Sequence, residues 1–177
     1  MAQLPASRTR NLVISGLLIA LSYVGSNIRI LGTTIAFDSL PGFLAALILG
    51  PVYGAAIGFL GHIFTGVISG FPLGIPLHMV IAVSMAITML GFGFTFRFLY
   101  AKISLSVNLI ITGLVGIVLN GPVSLAMSIA AMVIIAGREA AFGLLALLPV
   151  LILGALANVA LCISLFKPLS KLWAAKF

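Results

Sequence analysis

Charge is the scarcest feature of this chain: charged residues make up 6% of its 177 residues, and only two of them are acidic. A soluble domain typically carries about 25% charged residues, which is enough to cover its surface. A chain that is 63% hydrophobic cannot cover itself in this way, so its surface must face lipid. The composition therefore excludes a soluble domain and predicts an integral membrane protein in a bilayer.

The basic residues and the single cysteine exclude further classes. Nine Lys and Arg give a net charge of +7, but most of them flank apolar runs, which is the pattern of orientation signals rather than of a nucleic-acid surface. Cys162 alone cannot form an internal disulfide. The apolar runs are long enough for membrane helices of about 20 residues and lack the alternation of a membrane barrel. We therefore predict an all-α membrane protein with no nucleic-acid partner.

Sequence motifs for ATP binding and catalysis are also missing. The chain contains no G-x-x-x-x-G-K-[ST] loop and no H-E-x-x-H pair, and its two histidines lie on different predicted helices. We expect no catalytic residues, no metal and no cofactor, and thus no enzyme. Any transport by this protein needs energy from another subunit.

The predicted topology depends on the pair Gly50-Pro51. As one helix, Leu40–Ser69 would be about 45 Å long at about 1.5 Å per residue, well beyond the ~30 Å hydrocarbon core. A break at this pair gives six membrane spans in a single domain over residues 1–177. The spans are predicted at residues 11–30, 36–50, 52–68, 76–99, 105–131 and 142–166.

The distribution of basic residues supports six spans. In that topology the two termini and the 97–104 loop share one side of the membrane, and only Arg29 and Arg138 lie on the other. The remaining basic residues on the terminal side are Arg8, Arg10, Arg97, Lys102, Lys167, Lys171 and Lys176. Cytoplasmic loops carry the excess of Lys and Arg, so both termini are predicted to be cytoplasmic.

Polar side chains concentrate toward the predicted external side. The stretch Phe37–His78 contains both histidines and one of the two acidic residues. Ionisable groups at membrane depth are costly and mark functional sites by default. We predict a cavity for a polar small molecule, with Phe37 and Phe71 offering surface for a flat ring. The predicted binding residues are Arg29, Phe37, Asp38, His62, Phe71, His78, Asn120, Arg138 and Glu139.

Each of these residues also has a plainer interpretation. Arg29 and Asp38 could be interfacial groups at helix ends, and Arg138-Glu139 could be a solvated loop pair. His78 could mark a span boundary, and Asn120 could hydrogen-bond only between helices. His62 is the strongest functional candidate, because a histidine inside a span requires a partner.

Two small residues, Gly16 and Ala20, are spaced so that another helix can approach the first span closely. The spacing alone favours packing inside the bundle. Ser39 precedes the second span and is predicted to cap it, with Pro41 in the first turn.

The run DSLPGFLAALILGPVYGAAIGFLGH resembles the second and third spans of substrate-binding S components of energy-coupling factor (ECF) vitamin transporters. The size, the six predicted spans and the helix 1 pattern resemble the same family. The resemblance implies a subunit of a prokaryotic cell membrane that binds a vitamin or precursor from outside. It further implies docking, through Gly16 and Ala20, onto a transmembrane coupling subunit that works with two cytoplasmic ATPases.

The substrate is a finer question. The groups Phe37-Asp38-Ser39, Gly-His62 and GFPLGIPL-His78 resemble the branch associated with α-ribazole or other cobalamin precursors. Pantothenate, an anion, would require Arg29 or Arg138, whereas hydroxymethylpyrimidine would favour stacking and an acid; folate and riboflavin are further alternatives.

Two other classes of protein stay open. One is a stand-alone channel or carrier, which the uneven spans without paired halves disfavour. The other is an intramembrane enzyme that would use Asp38, His62 and His78.

Overall fold

The structure is a computed structural model that describes residues 5–28 and 36–174, with side chains described for residues 8–28 and 36–169. Within these ranges the chain forms helices and no strand, which confirms the all-helical prediction. The helices are α1 (Pro5–Asn27), α2 (Leu40–Ile48), α3 (Pro51–Ser69), α4 (Ile75–Leu99), α5 (Leu105–Val118), α6 (Ser124–Ala136), α7 (Arg138–Gly143) and α8 (Leu148–Ala174). A π-helical segment, Leu119–Val123, joins α5 to α6, and a 3-10 turn, Leu144–Leu147, joins α7 to α8.

The predicted break at Gly50-Pro51 is present. α2 ends at Ile48 and α3 begins at Pro51, and Gly50 between them has a φ angle of 124°, which favours glycine. Proline suits the first position of α3 because the N–H group that it lacks would have no intrahelical partner there. The side chain of Arg97 donates a hydrogen bond to the carbonyl of Leu49 at 3.4 Å, beside the same break.

Four helical segments of the described chain are long and apolar enough to cross a membrane: Pro51–Ser69, Ile75–Leu99, Leu105–Ala136 and Arg138–Leu169. α2 has nine residues and is therefore about 14 Å long at about 1.5 Å per residue, less than half of the ~30 Å hydrocarbon core. The count of six spans and the orientation of the termini stay predictions.

α2 forms the centre of the core although it is short. Every residue from Pro41 to Leu47 is buried. α3 approaches α2 closely at Gly54, which has no Cβ atom. A Cβ atom at this position would collide with the backbone of Ala46. α3 also packs against α1 and α4.

The bundle has two different ends. The connections at residues 36–39, 70–74 and 137 lie at one end, which we call the cavity end; Gly50 and residues 100–104 lie at the other, which we call the closed end. Phe92, Phe96 and Phe166 fill the closed end with aromatic packing. Polar side chains occupy the interior of the cavity end.

The helical ladder changes in the middle of the rod formed by α5 and α6. Residues Leu119–Val123 are π-helical and include Pro122, which has no N–H to donate to the ladder. Such π turns are frequent at functional sites.

Candidate functional site

The short segment before α2 carries the acidic residue of the site. Two long-range contacts position this segment: the hydroxyl of Ser22 donates to the carbonyl of Asp38 at 3.0 Å, and the amide of Asn158 donates to the carbonyl of Ala36 at 3.1 Å. The side-chain oxygen of Asn158 also accepts the N–H of Leu40 at 2.9 Å. α1 and α8 thus hold Asp38 from two sides.

Ser39 stands at the position predicted for the cap of α2, but its side chain does not cap the helix. Asn158 already accepts the N–H of Leu40, in the first turn. The hydroxyl of Ser39 donates instead to Oδ1 of Asp38 at 3.1 Å. The predicted side-chain cap is therefore wrong, because a distant asparagine takes over part of its role.

The carboxylate of Asp38 is buried and receives hydroxyl donors on both oxygens. Thr65 of α3 donates to Oδ2 at 2.6 Å, while Ser39 donates to Oδ1. Asp38 is only 5% exposed, so these hydrogen bonds are what stabilises a charge away from water. Nδ1 of His62 lies 3.7 Å from Oδ2, too far for a hydrogen bond but close enough for electrostatic attraction.

The two histidines meet although they lie on different helices. Nε2 of His62 on α3 lies 3.2 Å from Nδ1 of His78 on α4, which is hydrogen-bond distance. Their ring planes are inclined by 20° and the centroids are 5.3 Å apart. Since the two nitrogens lie between the ring centres, the rings meet edge to edge rather than face to face. Asp38, His62 and His78 therefore form a continuous polar chain.

The connection between α3 and α4 holds His78 in place. α3 ends in a left-handed Gly70 with φ of 72°, and the N–H of Phe71 returns to the carbonyl of Gly66 at 2.8 Å. Phe71 itself has a φ of 51°, a conformation that is uncommon for a bulky residue. Its ring packs edge-on against His78 with centroids 5.4 Å apart. Phe71 thus supports the imidazole.

The opposite wall comes from the π-helical segment and α6. Asn120 is 6% exposed, and its Oδ1 has no hydrogen-bond partner among the described residues. Ser124 and Ser128 follow at four-residue intervals and share its face of the helix. The hydroxyls of Ser84 and Ser124 lie 2.7 Å apart and tie this wall to α4.

These walls enclose a cavity at the cavity end. Its volume is about 90 Å³. Its lining is mostly apolar with a few polar groups, as in small-molecule sites. The polar lining residues are Asp38, Ser39, His62, Thr65, His78, Asn120, Ser124, Ser128 and Asn158. The larger apolar lining residues are Leu73, Leu77, Ile81, Met85, Leu125, Leu144, Leu147 and Leu151.

The structure brings four of the predicted binding residues together at this cavity: Asp38, His62, His78 and Asn120. Four others are described but do not line it. Phe37 and Phe71 are partly buried beside the cavity, and Arg138 and Glu139 are exposed in α7. Arg29 lies outside the described residues. A direct role in binding stays a prediction for all of these residues.

Several residues that line the cavity were not predicted from the sequence, although helical spacing places them on the same helix face as predicted residues. Thr65 lies three residues after His62, and Ser124 and Ser128 continue the face of Asn120. Asn158 had no comparable signal, because its partners are backbone groups more than a hundred residues earlier in the chain.

The predicted docking residues lie on a different surface. Gly16 and Ala20 are exposed on α1, and a Cβ atom at Gly16 would meet no other atom within 4 Å. Packing within this chain therefore does not require a small residue at position 16. Exposed Leu12, Val13 and Leu17 make the surrounding surface apolar.

Together, the apolar helices and the cavity define a multi-pass membrane protein with a cavity of the kind that holds small molecules. Residues 10–175 match the family model described as the substrate-specific component of the ECF transporter. The chain therefore belongs to this family of transport subunits, whose members act with ECF coupling and ATPase subunits on a small-molecule substrate. Comparisons with curated proteins and with solved structures gave no match.

Proposed function

We propose that this protein captures a vitamin or vitamin precursor from the external side of a prokaryotic plasma membrane and delivers it for ATP-driven uptake. The single observation that carries the proposal is the cavity in which Asp38, His62, His78 and Asn120 meet. These residues are buried at one end of an apolar bundle, where polar groups are costly unless they serve a purpose.

The six-span topology gives this cavity its direction. Both termini would lie in the cytoplasm, which places the closed end there and the cavity end outside. The cytoplasmic side then carries Arg97 and Lys102 at the closed end. The orientation is consistent with capture from outside, since the cavity with its polar groups lies at the end that would face outside.

The exposed face of α1 is the proposed docking surface for the coupling subunit. The exposed leucines of α1 can face lipid. Gly16, with open space beside it, has no side chain that could contribute to such a contact. Small residues at Gly16 and Ala20 allow another helix to approach closely. Two ATPases bound to the coupling subunit would supply the energy.

The particular vitamin stays open to experiment. The resemblance favours α-ribazole or a related cobalamin precursor; pantothenate, hydroxymethylpyrimidine, folate and riboflavin are the alternatives. Neither a channel nor an intramembrane enzyme has a specific observation in its favour.

Native mass spectrometry of the purified full chain tests the proposal, followed by titration with these vitamins and precursors. We expect one small molecule bound per chain and no turnover of it. Chemical conversion of the bound compound would identify an enzyme instead. A chain that binds none of the compounds and does not assemble with coupling and ATPase subunits would refute the proposal.

A further inference from the structure

Two buried hydrogen-bond atoms in the cavity have no partner among the described residues. They are Nε2 of His78 and Oδ1 of Asn120. The two residues are 2% and 6% exposed. Buried polar atoms are almost always hydrogen-bonded, and an unpaired one costs about 1–3 kcal/mol. Both residues line the same cavity, so a ligand there can satisfy both atoms.

Oδ1 of Asn120 can only accept a hydrogen bond, whereas Nε2 of a histidine can donate or accept. The direction at His78 is set by its neighbour. A hydrogen bond between two imidazole nitrogens needs one proton, and only one, between them. Either His62 donates from Nε2, or His78 donates from Nδ1.

The carboxylate of Asp38 decides between these arrangements. It lies 3.7 Å from Nδ1 of His62 and attracts the single proton of the neutral ring to that nitrogen. Nε2 of His62 is then an acceptor, and His78 donates from Nδ1. The remaining nitrogen of His78, Nε2, carries a lone pair that points away from this chain of bonds.

Asp38 does not need a protonated His62 to be stable in the interior. The hydroxyls of Ser39 and Thr65 already donate to its two oxygens, at 3.1 and 2.6 Å. The 3.7 Å separation from His62 is also longer than the 2.7–2.9 Å that is usual for charge-assisted N–H···O bonds. Both observations favour a neutral imidazole.

We infer that Asp38 and His62 act as positioning residues that fix His78 as an acceptor, so that the cavity selects an uncharged ligand that donates N–H or O–H groups. The ligand's donors would bond Nε2 of His78 and Oδ1 of Asn120. This inference rests on the proposed function and narrows its substrate class.

The charge of the cavity supports the same class. Among the described residues, its lining contains a carboxylate and no Lys or Arg to receive an anionic ligand. The carboxylate of Asp38 would repel a compound that carries a carboxylate. A carboxylate also has no proton to donate to Nε2 of His78 or Oδ1 of Asn120.

NMR of the full chain containing isotopically labelled histidine tests the tautomer without any ligand. The chain has only two histidines, so the variant His62→Gln assigns their nitrogen signals. We expect both rings to be neutral with the proton on Nδ1. The variant Asp38→Asn should move the signals of both rings, because an amide does not impose the same tautomer. A proton on Nε2 of His78, or an imidazolium at either residue in the unmodified chain, would overturn the inference.

Calorimetric titration tests the ligand class. The probes are hydroxymethylpyrimidine with its exocyclic amino group, the analogue with methyl in place of the amino group, α-ribazole and pantothenate. We expect the amino compound to bind at least about tenfold more tightly than the methyl analogue, because the analogue leaves an acceptor unpaired. The variant His78→Phe should remove this preference. Ser106→Ala, an exposed change in α5, should retain it.

Three outcomes would overturn the inferred ligand class: equal binding of the amino and methyl compounds, tightest binding of pantothenate, or no binding of any probe. In each case the proposed function would still stand if the chain assembled with coupling and ATPase subunits and retained a different small molecule. Failure of both assembly and retention would refute the proposed function itself.

Discussion

Two asparagines on the same helical rod show how the two ends of the bundle differ. Asn108, near the closed end, donates to the carbonyl of Phe96 at 2.9 Å and accepts the hydroxyl of Thr112 at 2.9 Å. Asn120, in the π-helical segment, has an Oδ1 atom without a partner among the described residues. Both are buried. The same residue type thus completes the packing at one end and leaves an open hydrogen-bonding position at the other.

The difference teaches that burial of a polar residue does not by itself reveal its purpose. A buried amide with both atoms bonded stabilises the fold, whereas a buried amide with an unpaired atom lowers stability and gains it back only when something binds. The closed end is therefore the rigid support, and the cavity end holds the polar groups that a substrate can satisfy.

The largest expected effect comes from neither end but from the outer face of α1. Gly16→Leu should reduce uptake to background while the affinity for substrate stays unchanged, because the added side chain projects from an open surface and would block close approach of the coupling subunit. Uptake into cells or vesicles that contain the whole transporter, together with titration of the purified subunit, measures the two properties separately.

Ala130→Leu is the matched control for this change, since it adds similar bulk to an exposed position on α6. We expect it to retain uptake. If Gly16→Leu lowers affinity instead, α1 serves the packing of the cavity, and the division between docking face and cavity end is wrong.

The next effect separates the two asparagines. Asn108→Leu should destabilise the fold by about 1–3 kcal/mol, because it leaves the carbonyl of Phe96 and the hydroxyl of Thr112 without their partner. Asn120→Leu should leave stability nearly unchanged and weaken substrate binding by about tenfold, or about 1.4 kcal/mol. Thermal unfolding of the purified chain measures the loss of stability expected for Asn108→Leu, and calorimetric titration measures the loss of affinity expected for Asn120→Leu. Similar losses of stability in both variants would remove the distinction between the two ends.

An effect on binding of similar size is expected at the contact between the two histidines. His62→Ala should weaken binding by about 1–2 kcal/mol, because His78 loses the neighbour that fixes the direction of its hydrogen bonds. Thr112→Val at the closed end is the control and should change stability without changing affinity. Titration of both variants decides the point; unchanged affinity with a lower melting temperature in His62→Ala would make His62 a packing residue.

Much of the fold could be predicted from the sequence. Long apolar runs with little charge have no stable alternative to helices in a membrane, and Gly50-Pro51 had to break a helix that would otherwise be far too long. The importance of His62 could also be predicted, since an imidazole inside a span requires a partner.

The composition of the site could be predicted only in part. Asp38, His62, His78 and Asn120 do meet, but Phe71 supports an imidazole instead of lining the cavity, and Arg138-Glu139 lies exposed. Spacing along the chain says which residues share a helix face; it does not say toward which neighbour that face turns. The π-helical segment adds to this difficulty because it changes the register of α6 relative to α5.

The sequence by itself thus determined the class of the protein, its helical nature and the presence of polar groups at membrane depth, because these follow from the cost of exposing charge and backbone to lipid. Only the tertiary structure decided that Asn158 accepts the first N–H of α2 in place of Ser39, that ring nitrogens of the two histidines lie within hydrogen-bond distance, and that Asn120 and His78 present to one cavity atoms with no partner among the described residues. The physical reason is that hydrogen bonds depend on distances of a few tenths of an ångström between helices far apart in the chain, and such distances are fixed by packing rather than by local sequence.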